Sequence, residues 1–453
     1  MASGPLTYVT MVGVHPVILY KAWHGRAWLL RSLVGCGEMI ILIPGHTCPE
    51  KCERWLCARA GYWGLCIRIF ADAKELIVIG PTPRVVREGI LTVFSPEKFQ
   101  GNPLALVSVH GNVLSQRRKA QLAREFKYSE TVFLHDAPGP GQPRLLEIFT
   151  ETGEELPFAG HPIIGTAHYI FTYLEKINYD VATRDTQKQT TTLLTKAGRI
   201  PIFFNPYRQV AACVVPTSFH VHAKRVDIEK IISTQPHVQI VPTIDKERGR
   251  TFPLVSIVKG MTFVLVDLTD NPEIFGALQA GKSPEAELDA DWAPSFVGCM
   301  YYRVLAKSEV PGEPAIHNVQ ARMISHGIED PGTGSACSAL SCYLALQSQG
   351  QEAASEQKAN PAEGSTEPAA ASEEGKPPAA NADLVKKTED LKVGDAKIER
   401  KVFGIQQGAE MGRLCTIAVE VDVKTDADGE KSIANVILSG RANMMLKGEV
   451  LGF

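Results

Sequence analysis

The chain has 453 residues, 44% of them hydrophobic and 21% charged, with a formal net charge of -3. That length exceeds a single core and implies two or three domains. The lack of a basic excess argues against a nucleic-acid partner, and the longest apolar candidate for a membrane span, Leu29 to Ile43, is broken by Arg31 and Glu38. The opening stretch "MASGPLTYVTMVG" lacks a basic region, so no secretory signal is expected and the simplest reading is cytoplasmic. Residues 1–88 stand apart in composition. They hold five of the ten cysteines (Cys36, Cys48, Cys52, Cys57 and Cys66) and four of the five tryptophans. The cluster "HTCPEKCERWLC" offers His46, Cys48, Cys52 and Cys57 to zinc, but not as two well-separated ligand pairs. No metal is expected, and a zinc-binding regulator would have to show stoichiometric zinc. This segment reads as one of different origin with no recognised fold.

A regular pattern begins near Gly89. "GILTVFS" reads as a strand and "FQGNPLALVSV" as a turn followed by a strand. "SQRRKAQLAREFKY" has helical periodicity with Ala120, Leu122, Ala123 and Phe126 inward. "SETVFLHD" and "RLLEIFT" read as strands, as do "QTTTLLTKAGRIPIFF", "QVAACVVP", "IVPTI", "LVSIV", "MTFVLVDL" and "CMYYRVLA" further on. Helical stretches such as "NPEIFGALQA" alternate with them, so the whole reads as mixed α/β or α+β. From Ser348 to Ala396 the chain is rich in Ala, Glu, Pro, Gly, Ser and Lys and has no aromatic residue. That composition cannot bury enough apolar surface to offset ordering, so residues 348–396 are expected to form a disordered insertion. Order resumes with "KVFGIQQGAEMGRLCTIAVEVDV".

Two stretches share one grammar: "LPFAGHPIIGTAHYIF" and "EDPGTGSACSALSCYLAL". Each sets a Pro/Gly turn at the mouth of a helix of small residues, with Pro162 near the first helical position, where a missing N–H does no harm. A helix N-terminus offers unpaired N–H groups and a positive dipole end, which suit a carboxylate or phosphate. Gly160, Gly332 and Gly334 allow close approach to the backbone, and Ser335 adds a hydroxyl. His161 can donate, accept or titrate near neutrality, and ionised Asp330 only accepts. Taken singly, each motif reads as merely a capped helix start, with Asp330 as the cap and His161 a satisfied loop histidine. The pairing of the two favours a ligand site between them. Glu130, in "YSETVFL", follows a helix at the edge of a β-rich run. It reads as an ordinary surface glutamate unless apolar neighbours desolvate it, in which case its raised pKa lets it exchange protons with carbon near neutral pH. No Gly-rich dinucleotide motif follows a strand, so no cofactor is expected.

"VFSPEKFQGNPLALV", "YSETVFL", "LPFAGHPIIGTAH", "EDPGTGSA" and "QQGAEMGR" occur in the order seen in the PhzF-like family, named for phenazine biosynthesis and related in fold to diaminopimelate epimerase. The resemblance covers about Gly89 to Phe453 apart from the insertion. It implies an α+β fold of two pseudo-symmetric halves, each a mixed sheet wrapped around a central helix, with the ligand between them. The halves would be residues 89–218 plus 432–453, and residues 219–431. By resemblance Glu130 is the acid/base glutamate, His161 and Asp330 are polar pocket residues, and Gly160 and Ser335 hold a carboxylate, with Gly334 beside them.

The related epimerases place cysteines where this chain has Ala159 and Pro331, and neither of those side chains can move a proton. Cys337 reads as a small buried residue. One shuttling carboxylate therefore fits better than a cysteine pair. The expected function is a cofactor-independent isomerase or epimerase of a small carboxylic acid. Its rival is a binding or scaffolding protein that keeps the fold without turnover. Homodimerisation is a further expectation. His326, close upstream of Asp330, is a departure that could alter the pocket.

Overall fold

From residue 86 onward most strands are short apolar or alternating runs, and the two helices that follow the Gly/Pro turns are built of small residues. The computed structural model describes residues 86–110, 114–174, 189–236, 249–309, 314–355 and 397–450, together with the backbone of short strands between residues 17 and 79. The chain divides into two compact units, Met1–Val85 and Val86–Phe453. In the first, strands Val17–Lys21, Ala27–Val34 and Gly37–Pro44 form one antiparallel sheet, and Arg54–Ala60, Trp63–Ile69 and Ile77–Ile79 form another. His46, Cys48 and Cys52 lie outside the described residues.

The second unit opens with strands β1 (Val86–Val93) and β2 (Asn102–Val109), helix α1 (Gln116–Phe126), and strands β3 (Glu130–His135) and β4 (Arg144–Thr150). Helix α2 (Gly160–Tyr169) follows, then β5 (Gln189–Thr195), β6 (Gly198–Asn205) and β7 (Val210–Val214). Next come β8 (Leu254–Val258), β9 (Met261–Asp267), β10 (Phe296–Val304), β11 (Ile316–Ser325) and β12 (Ile328–Asp330). Helix α3 (Gly334–Ser355) precedes β13 (Lys397–Gln407), β14 (Cys415–Thr425), β15 (Lys431–Gly440) and β16 (Ala442–Val450).

The sheet is mixed. β1 pairs antiparallel with β2 and with the last strand β16, whereas β2 and β3 run parallel, as do β9 and β10, and β11 and β13. β7 pairs with β15 through Ala211↔Gly440, joining early and late chain in one ladder system. β6 alternates, burying Ile200, Ile202 and Phe204, because one face only meets the core. β8 is buried throughout. Its two faces are both covered, since Val255 and Ile257 join the main core while Leu254 joins a second cluster with Ile228, Ile231 and Phe275. That double cover explains the unbroken apolar run "LVSIV".

Helix α2 is buried from Gly160 to His168 and packs against β1, β2, β3, β7 and β16. Its small residues set the distance: a Cβ on Gly165 would stand 2.6 Å from Leu104 Cδ2. Helix α3 packs against β8, β14 and β15, with Ala336, Cys337, Ala339, Leu340 and Cys342 fully buried. It runs on to Ser355, past the point where the composition shifts, and residues 356–396 lie outside the described residues. The "IVPTI" stretch is outside them too.

Helix α1 matches its periodicity, with Ala123 buried and Ala120, Leu122 and Phe126 packed on the same cluster. Lys119 departs from the pattern. It is 4% exposed and contacts Glu147, which also bonds His135 and Gln116. A lysine on an amphipathic helix reads as solvated, and only the opposing carboxylate on β4 makes its burial tolerable.

Candidate active site

The two helix mouths meet. A Cβ on Gly160 would lie 2.6 Å from Gly334 Cα, and one on Gly334 would lie 2.9 Å from Gly160 Cα. Only glycine permits that approach from both sides. The N-cap of α2 is Ala159, extended at φ -148 and ψ 137, with no side-chain cap bond. Its first-turn N–H groups therefore lack the usual capping oxygen. Thr333 precedes α3, its carbonyl accepting from Cys337 N at 3.0 Å. Two positive dipole ends converge at one place.

Polar side chains ring this junction. Glu130 is the first residue of β3, opposite Thr150 on β4, and its side chain is 18% exposed. Its Oε2 lies 3.5 Å from His161 Nε2, and both atoms are buried without a hydrogen-bond partner. His161, in the first turn of α2, is 3% exposed. Asp330 closes β12 opposite Met323. Its Oδ1 accepts from Asn102 Nδ2 at 2.8 Å and its Oδ2 from the Thr333 hydroxyl. Gln407, at the end of β13, donates from Nε2 to Asp330 O at 2.8 Å and accepts from Thr333 N at 3.0 Å. That amide holds the turn before α3 in place.

Burial, and then the negative charge of Asp330, push the Glu130 carboxyl up to about 8. Asp330 is raised as well by burial, against the lowering effect of its bonds to Thr333 and Asn102. Burial holds His161 down to about 3, so its imidazole is neutral. Cys337 and Cys415 are buried beside this cluster, and burial followed by the Asp330 charge raises both thiols well above the ordinary range. Neither is a thiolate near neutral pH.

The structure thus gathers Glu130, His161, Asp330, Gly160 and Gly334, with Ser335 buried in the first turn of α3. His326 belongs elsewhere. It sits in the turn between β11 and β12, bonded to Ser325 and Ser283, while Asp330 lies at the far end of the same hairpin. Sequence reasoning missed Asn102, Thr333 and Gln407. Asn102 and Gln407 lie inside the motifs "FQGNPLALV" and "QQGAEMGR", where order along the chain was the only signal.

Among the described residues a second group, His220, His222 and Asp289, brings possible ligand atoms within 4.8 Å of one another. His222 Nδ1 accepts from Asp289 N at 3.1 Å, and its Nε2 meets Ser256 Oγ at 2.9 Å. Both ring nitrogens are therefore committed within the protein.

A carboxyl raised toward neutral pH thus stands 3.5 Å from a neutral histidine beside two glycine-lined helix mouths. The model of the phenazine biosynthesis-like family, PhzC-PhzF, matches residues 91–365, and the chain belongs to that family. Its curated relatives include an uncharacterised isomerase of Pasteurella multocida, 28% identical over 253 residues, spanning 55% of this chain and 74% of that one. Another is the trans-2,3-dihydro-3-hydroxyanthranilate isomerase of Pseudomonas aeruginosa, 29% identical over 270 residues, spanning 57% and 80%. The protein is an enzyme of the isomerase class. A phenazine biosynthesis protein of the PhzF family from Bacillus anthracis, solved as a crystal structure, aligns over 81% of this chain and 99% of its own at 18% identity, with a TM-score of 0.47. No described helix is long and apolar enough to cross a membrane.

Proposed function

We propose that this isomerase moves a proton between carbons of a small carboxylic acid, with Glu130 as the single acid/base group. The observation that carries the proposal is the Glu130 carboxyl itself: half-buried, with Oε2 fully buried and unpartnered, and shifted toward neutral pH by desolvation and by Asp330. A base with a pKa near the working pH combines strength with a usable ionised fraction.

The N–H groups at the mouths of α2 and α3, at Gly160, Gly334 and Ser335, would hold the substrate carboxylate. Glu130 as carboxylate takes a proton from a neighbouring carbon. The electron pair left behind spreads through the substrate toward its carboxylate, where the two helix ends stabilise the charge. The Glu130 carboxylic acid then returns the proton to a second carbon, and the carboxylate is restored. His161 and Asp330 orient the substrate. Ala159 and Pro331 offer no second proton carrier, and the thiols nearby stay protonated.

The back-to-back glycines of the two mouths also support the reading of the fold as two related halves around one cleft. The test is solvent deuterium incorporation into a panel of carboxylic acids, beginning with the hydroxylated one named by the Pseudomonas aeruginosa relative. Deuterium at carbon with wild-type protein, lost in Glu130→Gln, supports the proposal. The absence of exchange into every acid would instead favour a protein that binds without turnover.

A further inference from the structure

Asn102 begins β2, and its Nδ2 faces three groups at once. Asp330 Oδ1 lies at 2.8 Å, Gly332 O at 3.1 Å and His161 Nδ1 at 3.2 Å. The side chain is 1% exposed. A carbonyl oxygen can only accept, so the atom facing Gly332 must be the NH2 end of the amide. An ionised carboxylate at Asp330 imposes the same orientation. With the amide fixed that way its two hydrogens serve three acceptors, Asp330 and Gly332 at the shorter distances with one hydrogen shared toward His161 Nδ1, and a proton on Nδ1 would point at an NH2 group that cannot accept it. The single proton of the neutral ring is left on Nε2, the nitrogen that lies 3.5 Å from Glu130 Oε2 and has no hydrogen-bond partner.

We propose that Asn102 is a positioning residue: it holds His161 as the Nε2–H tautomer, so that the ring serves as a neutral hydrogen-bond donor toward Glu130 and the bound substrate. In that tautomer Nε2 has no lone pair and cannot take a proton. The two carbon-directed proton transfers then fall to Glu130 alone, and the imidazole can donate to an oxygen on which charge develops. Asn102 lies on β2 and its acceptors precede α3, while His161 opens α2, so one amide links both helix mouths. Its own Oδ1 is buried without a partner. An apolar residue would avoid that orphaned acceptor, so the site keeps the amide for its NH2 group. The consequence for turnover rests on the proposed role of Glu130; the tautomer does not.

The experiment uses full-length protein labelled with 15N-histidine, read by two-bond 1H–15N correlation, with the His161 signals assigned by their loss in His161→Gln. Wild type is expected to show Nε2–H with an unprotonated Nδ1, unchanged from pH 8 to pH 5. Asn102→Ala removes the donor, and the Nδ1–H form should appear. Asn102→Asp keeps the size but places an oxygen against Nδ1, and should drive the ring further toward Nδ1–H. Turnover in both variants is expected to fall about 10- to 100-fold, the range known for losing a partner that orients a metal-binding histidine, mainly in kcat because the carboxylate anchors remain. An Nδ1–H or charged ring in wild type overturns the proposal, as does a purely Nε2–H ring in Asn102→Asp. Should Asn102→Ala fail to fold, the wild-type and Asn102→Asp spectra decide. The role of Glu130 is judged separately by deuterium exchange in Glu130→Gln, so either reading can fall without the other.

Discussion

Gly160 and Gly334 touch backbone to backbone: a Cβ on Gly160 would stand 2.6 Å from Gly334 Cα and 3.0 Å from its carbonyl carbon. Neither neighbour is the loose end of a side chain, so the clash cannot be relieved by a rotamer change. Gly160→Ala is expected to lose about 1–3 kcal/mol of stability, the usual effect of overpacking, and to part the two helix mouths. Denaturant midpoints and the affinity for a substrate-like carboxylate should fall together. Unchanged affinity in the folded variant would show that the carboxylate is held elsewhere.

Glu130→Gln keeps the shape of the side chain but cannot accept a proton from carbon. Solvent deuterium incorporation is expected to drop by about 10²–10⁴-fold, the contribution typical of a positioned acid/base group. Binding of the same carboxylate should survive, because its anchors are the helix-mouth N–H groups. Asp330→Asn should weaken both, since Asp330 ties Asn102 and Thr333 into the site. Full exchange by Glu130→Gln would move the proton-carrying role to another group.

The raised pKa of Glu130 has a stability signature. Its carboxyl moves from 4.5 to about 8 on folding. Below pH 4.5 the acid is protonated in both folded and unfolded chains and the contribution to stability is fully present. As pH rises toward 8 the unfolded chain ionises freely while the folded one resists, and the contribution is lost. Relative to wild type, Glu130→Gln should therefore gain stability across that window and level off above it, by an amount on the order of a few kcal/mol. The wild-type kcat/KM should climb over the same range to a plateau above pH 8, with no inflection from His161. Parallel stability curves for the two proteins would remove the buried acid from the account.

On the opposite end of β3, the Lys119–Glu147–His135 cluster is a test of structure alone. Bonds from His135, Lys119 and Gln116 outweigh the burial penalty and hold Glu147 down to about 2. The contribution is present above the unfolded value of 4.5 and is lost as pH falls toward 2. Lys119→Ala should cost about 3–5 kcal/mol by leaving a buried carboxylate unpaired, whereas a paired Lys119→Met, Glu147→Leu change should cost far less. Equal losses in the single and paired variants would mean that packing, not charge, sets the cost.

Much of the site was legible because its parts are local motifs. A Gly/Pro turn before a helix of small residues can be recognised from a few adjacent letters, and so Gly160, His161, Asp330, Gly334 and Ser335 could be named without coordinates. Asn102 and Gln407 could not. An asparagine before a proline has an ordinary use in a turn, and a glutamine at a strand end has an ordinary use at the surface. What gives Asn102 its role is Asp330, 228 residues away in the chain. The burial of Lys119 was hidden for the same reason, since its partner Glu147 belongs to a different element. His326 shows the converse error: nearness to Asp330 in sequence became separation across a hairpin.

By itself the sequence determined most of the strands from residue 89 on, where the two helix mouths would lie and which residue types stand there, because apolar periodicity, turn chemistry and residue identity are written in short stretches; the strands between residues 17 and 79 and the run of α3 on to Ser355 were not read from it. Only the tertiary structure decided that the mouths would meet through two glycines, that Glu130 would be an acid of about 8 instead of a surface carboxylate, and which nitrogen of His161 faces Glu130. Desolvation and hydrogen-bond geometry depend on everything that surrounds a group, and those surroundings are assembled from residues far apart along the chain.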